Sequence, residues 1–116
     1  RYIMTQHDPM IRIQHMRDHV REALGIVQGK AREHLDTDRL LILALTHLVE
    51  IVGESASWVP DDLQKNNPKI PWADVIGMRN RLIHGYDLVN LDILWDTLSI
   101  DFPPLLAELD RVLLGA

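Results

Sequence analysis

The sequence predicts an all-α protein, an up-and-down bundle of four to five helices. Apolar residues recur every three or four positions in each long segment, and no run of alternating β-branched residues lies between hairpin turns. Of the 116 residues, 47% are hydrophobic and 25% are charged, a balance typical of a single globular domain. We therefore expect residues 1–116 to form one domain, with 1–7 as a flexible or non-native extension because Arg1 to Ile3 precede Met4.

Two long helices open the predicted bundle. Asp8 and Pro9 are a typical helix start, since Asp caps a helix and Pro suits its first position. Thr37 or Asp38 can cap the second helix. Residues 40–45 are all apolar, so we expect this helix to be surrounded by protein on most sides and to be central.

The third predicted helix begins at Pro71, after a loop rich in asparagine and proline. In the second helix, Gly53 suits a close crossing of two helices. Glu54 beside it has two interpretations. It is either exposed at the helix edge or a carboxylate that pairs with Arg79 or Arg81.

The third helix carries the segment MRNRLIHGY, residues 78–86. On a helical wheel Arg79 falls within the apolar arc, where a permanent charge is costly unless it is paired or faces a ligand. Asn80 and His84 are four residues apart and should lie side by side. Arg79 and His84 are about 140° apart on an ideal helix. They converge only if the helix distorts near Gly85, if the arginine curls round, or if two chains combine their motifs.

Two interpretations of this segment follow from the residue types. Arginine grips phosphate through its planar fork of donors, and histidine transfers protons near neutral pH, so Arg79 and His84 suit phosphodiester cleavage. On spacing alone, a buried structural arginine paired with a carboxylate is favoured over catalysis.

In the last part of the chain, apolar spacing predicts a fourth helix from Leu91 to Leu98. Phe102, Pro103 and Pro104 interrupt it, because proline removes amide donors. Apolar spacing then resumes as a fifth helix or a kinked continuation.

Charge and motif content exclude several functional classes. The formal net charge of −5 argues against broad non-specific nucleic-acid binding. A ribonuclease would need a local basic site, for which Lys65, Lys69, Arg79 and Arg81 are the candidates. No glycine-rich phosphate loop, nucleophile elbow or cofactor motif is present.

We likewise expect no metal site, no membrane span and a cytoplasmic location. His15 and His19 are spaced to share a metal, but they project away from the apolar face and lack a third ligand. No stretch approaches 18 uninterrupted apolar residues. The absence of cysteine excludes disulfides and fits a cytoplasmic protein.

The spacing of Arg79, Asn80, His84, Gly85 and Tyr86 resembles the R-x4-H-x-Y signature of HepT-like proteins in the HEPN superfamily. The resemblance extends over roughly residues 8–114, nearly the whole chain. Its surroundings match as well: Ile70-Pro71-Trp72, Gly53-Glu54, Trp95 and Asp101-Phe102-Pro103.

The resemblance implies a HEPN-like helical bundle that acts as the toxin of a type VII-like toxin–antitoxin pair. Such a toxin is a metal-independent endoribonuclease whose site forms where two motifs meet across a homodimer. Arg79 would hold the scissile phosphate of RNA, and His84 would move protons between the 2′-hydroxyl and the leaving oxygen. Asn80 would orient His84 or the phosphate, with Gly85, Glu54 and Arg81 in supporting positions.

The resemblance also implies a partner, an MntA-like minimal nucleotidyltransferase antitoxin that transfers AMP to Tyr86. From the residues alone, Tyr86 is an aromatic side chain that packs at a helix end with its hydroxyl in water. The alternative function is a non-catalytic HEPN accessory or binding subunit of a nucleotidyltransferase.

Overall fold

The computed structural model describes residues 8–84 and 88–115, with only the backbone described for His84. The expected extension, residues 1–7, lies outside the described residues. An all-α, up-and-down bundle is confirmed, with one very short β-hairpin added to it. The elements are α1 (Met10–Val27), a 3-10 turn (Arg32–Asp36), α2 (Arg39–Ser57), α3 (Asp61–Asn66), α4 (Trp72–Ile76), α5 (Met78–Leu82), β1 (Ile83–His84), β2 (Leu88–Val89), α6 (Leu91–Asp96), a π-helical segment (Thr97–Asp101) and α7 (Phe102–Gly115).

Both long helices begin where the sequence predicts. An Asp8 side-chain oxygen accepts a hydrogen bond from the Met10 amide at 3.0 Å, and α1 follows Pro9. Asp38 caps α2 by accepting a bond from the Leu41 amide at 3.0 Å. These carboxylates satisfy amides that would otherwise lack partners in the first helical turn.

The core lies where α1, α2 and α7 pack together. By length and apolar content α2 could cross a membrane, but 50% of that apolar window is buried inside the bundle, as is usual for a core helix. The largest fully buried side chains are Phe102, Ile13, Met16, Leu35, Leu45, Ile70, Leu82, Leu94, Leu98, Leu109, Val20 and Val49.

The prediction that the apolar start of α2 is surrounded on most sides was wrong. Leu41 and Leu45 are buried, but Leu40 is 78% exposed and Leu43 is 49% exposed. The other elements of the bundle leave Leu40 and Leu43 uncovered, so an apolar strip remains exposed on this helix.

Gly53 makes the close helix crossing that the sequence predicts. A Cβ atom at this position would lie 3.2 Å from the carbonyl oxygen of Val75, so the backbones of α2 and α4 approach closely because Gly53 has no side chain. This contact fixes how α2 lies against the motif segment.

The predicted single motif helix is two short helices followed by a strand. Gly77 separates α4 from α5, and the helix ends at Leu82. Ile83 is extended, with φ −103° and ψ 123°. Its backbone is in register with Val89, and His84 with Leu88. Strand pairing therefore ends the helix before His84, two residues earlier than expected.

The sequence left open whether the end of the chain is a separate fifth helix or a kinked continuation of the fourth. The structure has the continuation. The π-helical segment joins α6 to α7, and Pro103 and Pro104 follow this segment directly, where the helical hydrogen-bond pattern changes. Hydroxyls of Thr97 and Ser99 donate to the carbonyls of Ile93 and Trp95 at 2.8 and 2.7 Å. These bonds satisfy carbonyl groups where the regular helical pattern changes.

Candidate active site

Arg79 extends from α5 toward the middle of α2. Its Nε donates a hydrogen bond to Oε2 of Glu50 at 2.9 Å. The Arg79 side chain remains 61% exposed, whereas that of Glu50 is 30% exposed. The sequence-based interpretation of Arg79 as buried is therefore wrong, although the carboxylate partner that it predicted exists and is Glu50. With one edge fixed by Glu50, the terminal nitrogens of the guanidinium remain accessible to an anion.

The Gly53 crossing explains which glutamate pairs with Arg79. Gly53 lies against Val75, so an antiparallel step of one helical turn brings Glu50 toward Arg79. Glu54 directly follows Gly53, four residues from Glu50 and farther from Arg79 along this crossing. It is exposed and accepts a hydrogen bond from Nε1 of Trp58 at 2.9 Å. The exposed alternative for Glu54 is confirmed, and its predicted pairing with Arg79 or Arg81 is wrong.

A cavity of about 350 Å³, here called the α2 groove, lies beside this pair. Its apolar wall comes from α2 and the two short strands, and its polar lining residues include His47 and the Arg79–Glu50 pair. The lining residues are Arg39, Ile42, Leu43, Thr46, His47, Glu50, Arg79, Ile83 and Val89. Positive and apolar groups thus share one concave surface, with the exposed strip of α2 next to it.

Arg81 faces a different cavity. The carboxylate of Asp74 lies 3.9 Å from its guanidinium, and both residues line a space of about 640 Å³ together with Lys69 and Asp101. The predicted local basic site is therefore divided, since Arg79 lines one cavity while Lys69 and Arg81 line another.

Asp101 is accessible overall, but its carboxyl group lies at this second cavity. Partial burial raises the pKa of Asp101 above 3.8. The charge of Arg81 opposes that increase, and those of Asp96 and Asp74 add to it. The charged form of Asp101 is thus disfavoured in the folded protein.

The remaining motif residues are only partly described. Asn80 is exposed, and its amide donates to the carbonyl of Gly77. The predicted side-by-side helical arrangement of Asn80 and His84 is wrong, because His84 belongs to β1. The His84 side chain and residues Gly85 and Tyr86 lie outside the described residues, so their predicted roles stay predictions.

Metal ligands do not cluster in the part of the chain that the structure describes. No group there combines three His, Cys, Asp or Glu side chains in a metal-binding arrangement. Nδ1 of His19 is instead 2.6 Å from the backbone carbonyl of His15 in the preceding turn.

Comparison with known proteins identifies the family. The family model described as Ribonuclease HepT-like matches residues 16–112, which include both the Arg79–Glu50 pair and the whole motif. This chain belongs to the HepT-like ribonuclease family. The HEPN resemblance noted in the sequence is thereby confirmed.

Two relatives illustrate how much of the HepT-like chain is shared. A protein from Thermococcus cleftensis named probable ribonuclease HepT is 30% identical over 97 residues, covering 80% of this chain and 88% of the relative. A candidate RNase from Caldanaerobacter subterraneus subsp. tengcongensis is 33% identical over 87 residues, covering 75% of this chain and 78% of the relative. No solved structure matches this chain at a significant level.

Two residues of the HepT-like site were missed in the sequence. Glu50 follows a run of apolar residues and carries no motif, and only the packing of Gly53 against Val75 brings it opposite Arg79. Thr46 resembles any other helical threonine in the sequence, because only the fold shows that its side chain is buried beside a groove.

Proposed function

We propose that this HepT-like chain is a metal-independent endoribonuclease and the toxin of a cytoplasmic toxin–antitoxin pair. The observation that carries the proposal is the Arg79 guanidinium, which is fixed at Nε by Glu50 yet 61% exposed beside a groove. An oriented guanidinium that keeps free donors is suited to bind a phosphate and to stabilise the additional charge of its transition state. The relatives named as ribonucleases support the same chemistry.

The proposed reaction needs only the RNA strand and the protein. The 2′-hydroxyl oxygen attacks the adjacent phosphorus while its proton passes to a neutral imidazole. The bond from phosphorus to the 5′ oxygen breaks, and that oxygen takes a proton from a second, protonated imidazole. The products are a 2′,3′-cyclic phosphate and a 5′-hydroxyl. His84 is assigned both proton transfers, one from each of two protomers, and Arg79 holds the phosphate.

A homodimer is part of this proposal. The exposed apolar strip of α2 includes Leu40 and Leu43, and Leu88 on β2 is 69% exposed. Apolar surface of this kind on a small domain commonly marks a protein contact. A two-fold arrangement around the strip would bring two copies of β1, and hence two His84 residues, toward one another.

The nuclease is tested with purified protein, RNA and EDTA. We expect cleavage that survives chelation, yields cyclic phosphate ends and leaves DNA intact. Arg79→Ala should lower the rate about 10²–10³-fold, and His84→Ala about 10²–10⁴-fold. Arg111→Ala is a matched control, since Nε of Arg111 also donates to a glutamate, Glu108, at 2.8 Å on the exposed surface of α7.

The outcomes separate this proposal from the accessory alternative. Folded wild-type protein that cleaves no RNA and does not inhibit growth on expression would favour a non-catalytic subunit of a nucleotidyltransferase. Equal loss of activity in the Arg111→Ala control would show that the effect of Arg79→Ala is not specific to the site.

Neutralisation by AMP transfer to Tyr86 is the regulatory part of the proposal. An MntA-like minimal nucleotidyltransferase would be the partner, and the added phosphate would repel RNA from the Arg79 region. Intact mass after incubation with ATP and this enzyme should increase by AMP units. Tyr86→Phe should abolish the increase and Tyr2→Phe should not. A mass shift that persists in Tyr86→Phe would reject this assignment.

A further inference from the structure

His47 is an exposed histidine of the α2 groove that the proposed reaction does not use. It lies on α2 one helical turn before Glu50, and both residues line the groove together with Arg79. Side chains three positions apart on a helix are neighbours, with about 5–6 Å between their Cβ atoms. Because Oε2 of Glu50 is 2.9 Å from Nε of Arg79, the His47 imidazole and the Arg79 guanidinium border the same part of the groove.

The ring nitrogens of His47 have no hydrogen-bond partner among the described residues, in contrast to those of two other histidines. Nδ1 of His19 lies 2.6 Å from the carbonyl oxygen of His15, and Nδ1 of His34 accepts a bond from the Ala31 amide at 2.9 Å. A neutral imidazole carries one N–H donor, and an imidazolium carries two. In either state His47 therefore presents an N–H donor to the groove.

A phosphate on Arg79 gains from a second donor. Glu50 balances the charge of Arg79, so the pair attracts an anion through the terminal guanidinium donors rather than through net charge. The Thr46 hydroxyl is buried, and a ligand in the groove cannot reach it. Arg39 also lines the groove, but it is eight residues before His47, about 12 Å along the helix axis. On this face of α2, His47 is the accessible donor next to the Arg79–Glu50 pair.

From this arrangement we infer that His47 binds the same RNA phosphate as Arg79. The ring N–H of His47 donates to one non-bridging oxygen, and the terminal nitrogens of Arg79 donate to the other. The phosphate is thus held between α2 and α5, and donors fixed on two elements stabilise the additional negative charge of its transition state. The inference rests on the proposed function and adds a phosphate-binding residue to it, while both proton transfers stay with His84.

The experiment measures binding, so its result does not depend on cleavage. The probe is a single-stranded 2′-O-methyl RNA, which lacks the attacking 2′-hydroxyl, and inorganic phosphate is titrated in parallel. The NMR signals of the His47 ring should shift when the oligonucleotide binds. His47→Ala should weaken oligonucleotide binding about tenfold. The oligonucleotide should also bind more tightly than inorganic phosphate, because the strand makes further contacts.

His15→Ala is the matched control. His15 is exposed on α1, its ring makes only an edge contact with His19 among the described residues, and it does not line the α2 groove. The His15 ring signals should not shift, and His15→Ala should keep the wild-type affinity. Both histidines are exposed, so neither substitution should change the melting temperature.

A double variant tests whether His47 and Arg79 share one phosphate. If they do, His47→Ala should weaken binding much less in the Arg79→Ala background than in the wild type, because residues that hold one group are coupled. Losses that simply multiply would place the two side chains on different phosphates and overturn the inference.

Four other results would overturn it: unshifted His47 signals, wild-type affinity in His47→Ala, equal affinity for inorganic phosphate and the oligonucleotide, or a change in dimer dissociation without a change in affinity. The last would assign His47 to the subunit contact. Binding through His47 without cleavage of unmodified RNA would reject the nuclease and retain the phosphate contact. Cleavage by His47→Ala with wild-type kcat and KM would reject the contact and retain the nuclease.

Discussion

Arg79 and Glu50 form an ion pair that uses one edge of the guanidinium, Nε, at 2.9 Å from the carboxylate oxygen. The exposure of the arginine means that water screens this pair, and exposed pairs contribute only about 0–1 kcal/mol to folding. The pair therefore matters more for orientation than for stability. Glu50 restrains a long, flexible side chain while leaving its terminal nitrogens accessible.

Two substitutions of Glu50 separate orientation from charge. Glu50→Gln keeps an oxygen acceptor for Arg79 and removes a negative charge near the RNA phosphate, so we expect KM for RNA to fall with little change in kcat. Glu50→Ala removes the acceptor, so kcat should fall about tenfold or more because the guanidinium is no longer held. Steady-state cleavage kinetics distinguish the two effects. A lower kcat in Glu50→Gln, equal to that in Glu50→Ala, would mean that the charge rather than the contact is required.

Gly53→Ala should destabilise the protein by about 1–3 kcal/mol, because the new methyl group would meet the Val75 carbonyl oxygen at 3.2 Å and backbone cannot easily move away. Gly25→Ala is the control, since Gly25 lies within α1 and has no atom within 4 Å of the added Cβ. Alanine forms helix better than glycine, so Gly25→Ala should stabilise the protein by about 0.5–1 kcal/mol. Urea denaturation of both variants measures the difference. Equal effects of the two substitutions would contradict the close crossing.

Much of the fold was predictable because its signals are local. Asp8 and Asp38 cap helices through amides two or three residues away, so the sequence alone identifies both starts. The end of α5 was not predictable in the same way. No strong helix breaker stands between Leu82 and His84, and the helix ends there because Ile83 pairs with Val89, a partner six positions along the chain.

The site was predictable only as far as its motif. Arg79 was identified from spacing, but its partner Glu50 depends on how α2 crosses α4, which is a property of packing. Leu40 is exposed although it lies in an apolar run that predicted burial. Periodicity distinguishes apolar from polar positions, but it does not tell which apolar positions the bundle itself covers.

Asp101→Asn should stabilise the protein at pH 7, because burial raises the pKa of Asp101 and the folded state disfavours its charge. The native carboxylate binds its proton at a higher pH than the unfolded one. Its destabilising effect is therefore complete above the folded pKa and disappears as the pH falls below 3.8. Melting temperatures of wild type and variant should converge toward pH 3. The control is Asp61→Asn in the first turn of α3, where a carboxylate favours the helix. Loss of that charge should not stabilise the protein. A stabilisation by Asp101→Asn that is independent of pH would contradict this cause.

Leu40→Glu should dissociate the proposed homodimer, because it introduces a charge into the exposed apolar strip of α2 without affecting the core. Leu40 is 78% exposed and does not line the α2 groove, so the isolated subunit should keep its fold and melting temperature. Leu114→Glu is the control, since Leu114 is 87% exposed near the end of α7. Sedimentation velocity should give a monomer for Leu40→Glu and a dimer for Leu114→Glu. The proposed reaction takes one imidazole from each protomer. RNA cleavage by Leu40→Glu should therefore fall in proportion to the dimer fraction, and both should recover at high protein concentration. Full activity in a monomeric Leu40→Glu protein would show that one chain supplies the whole site.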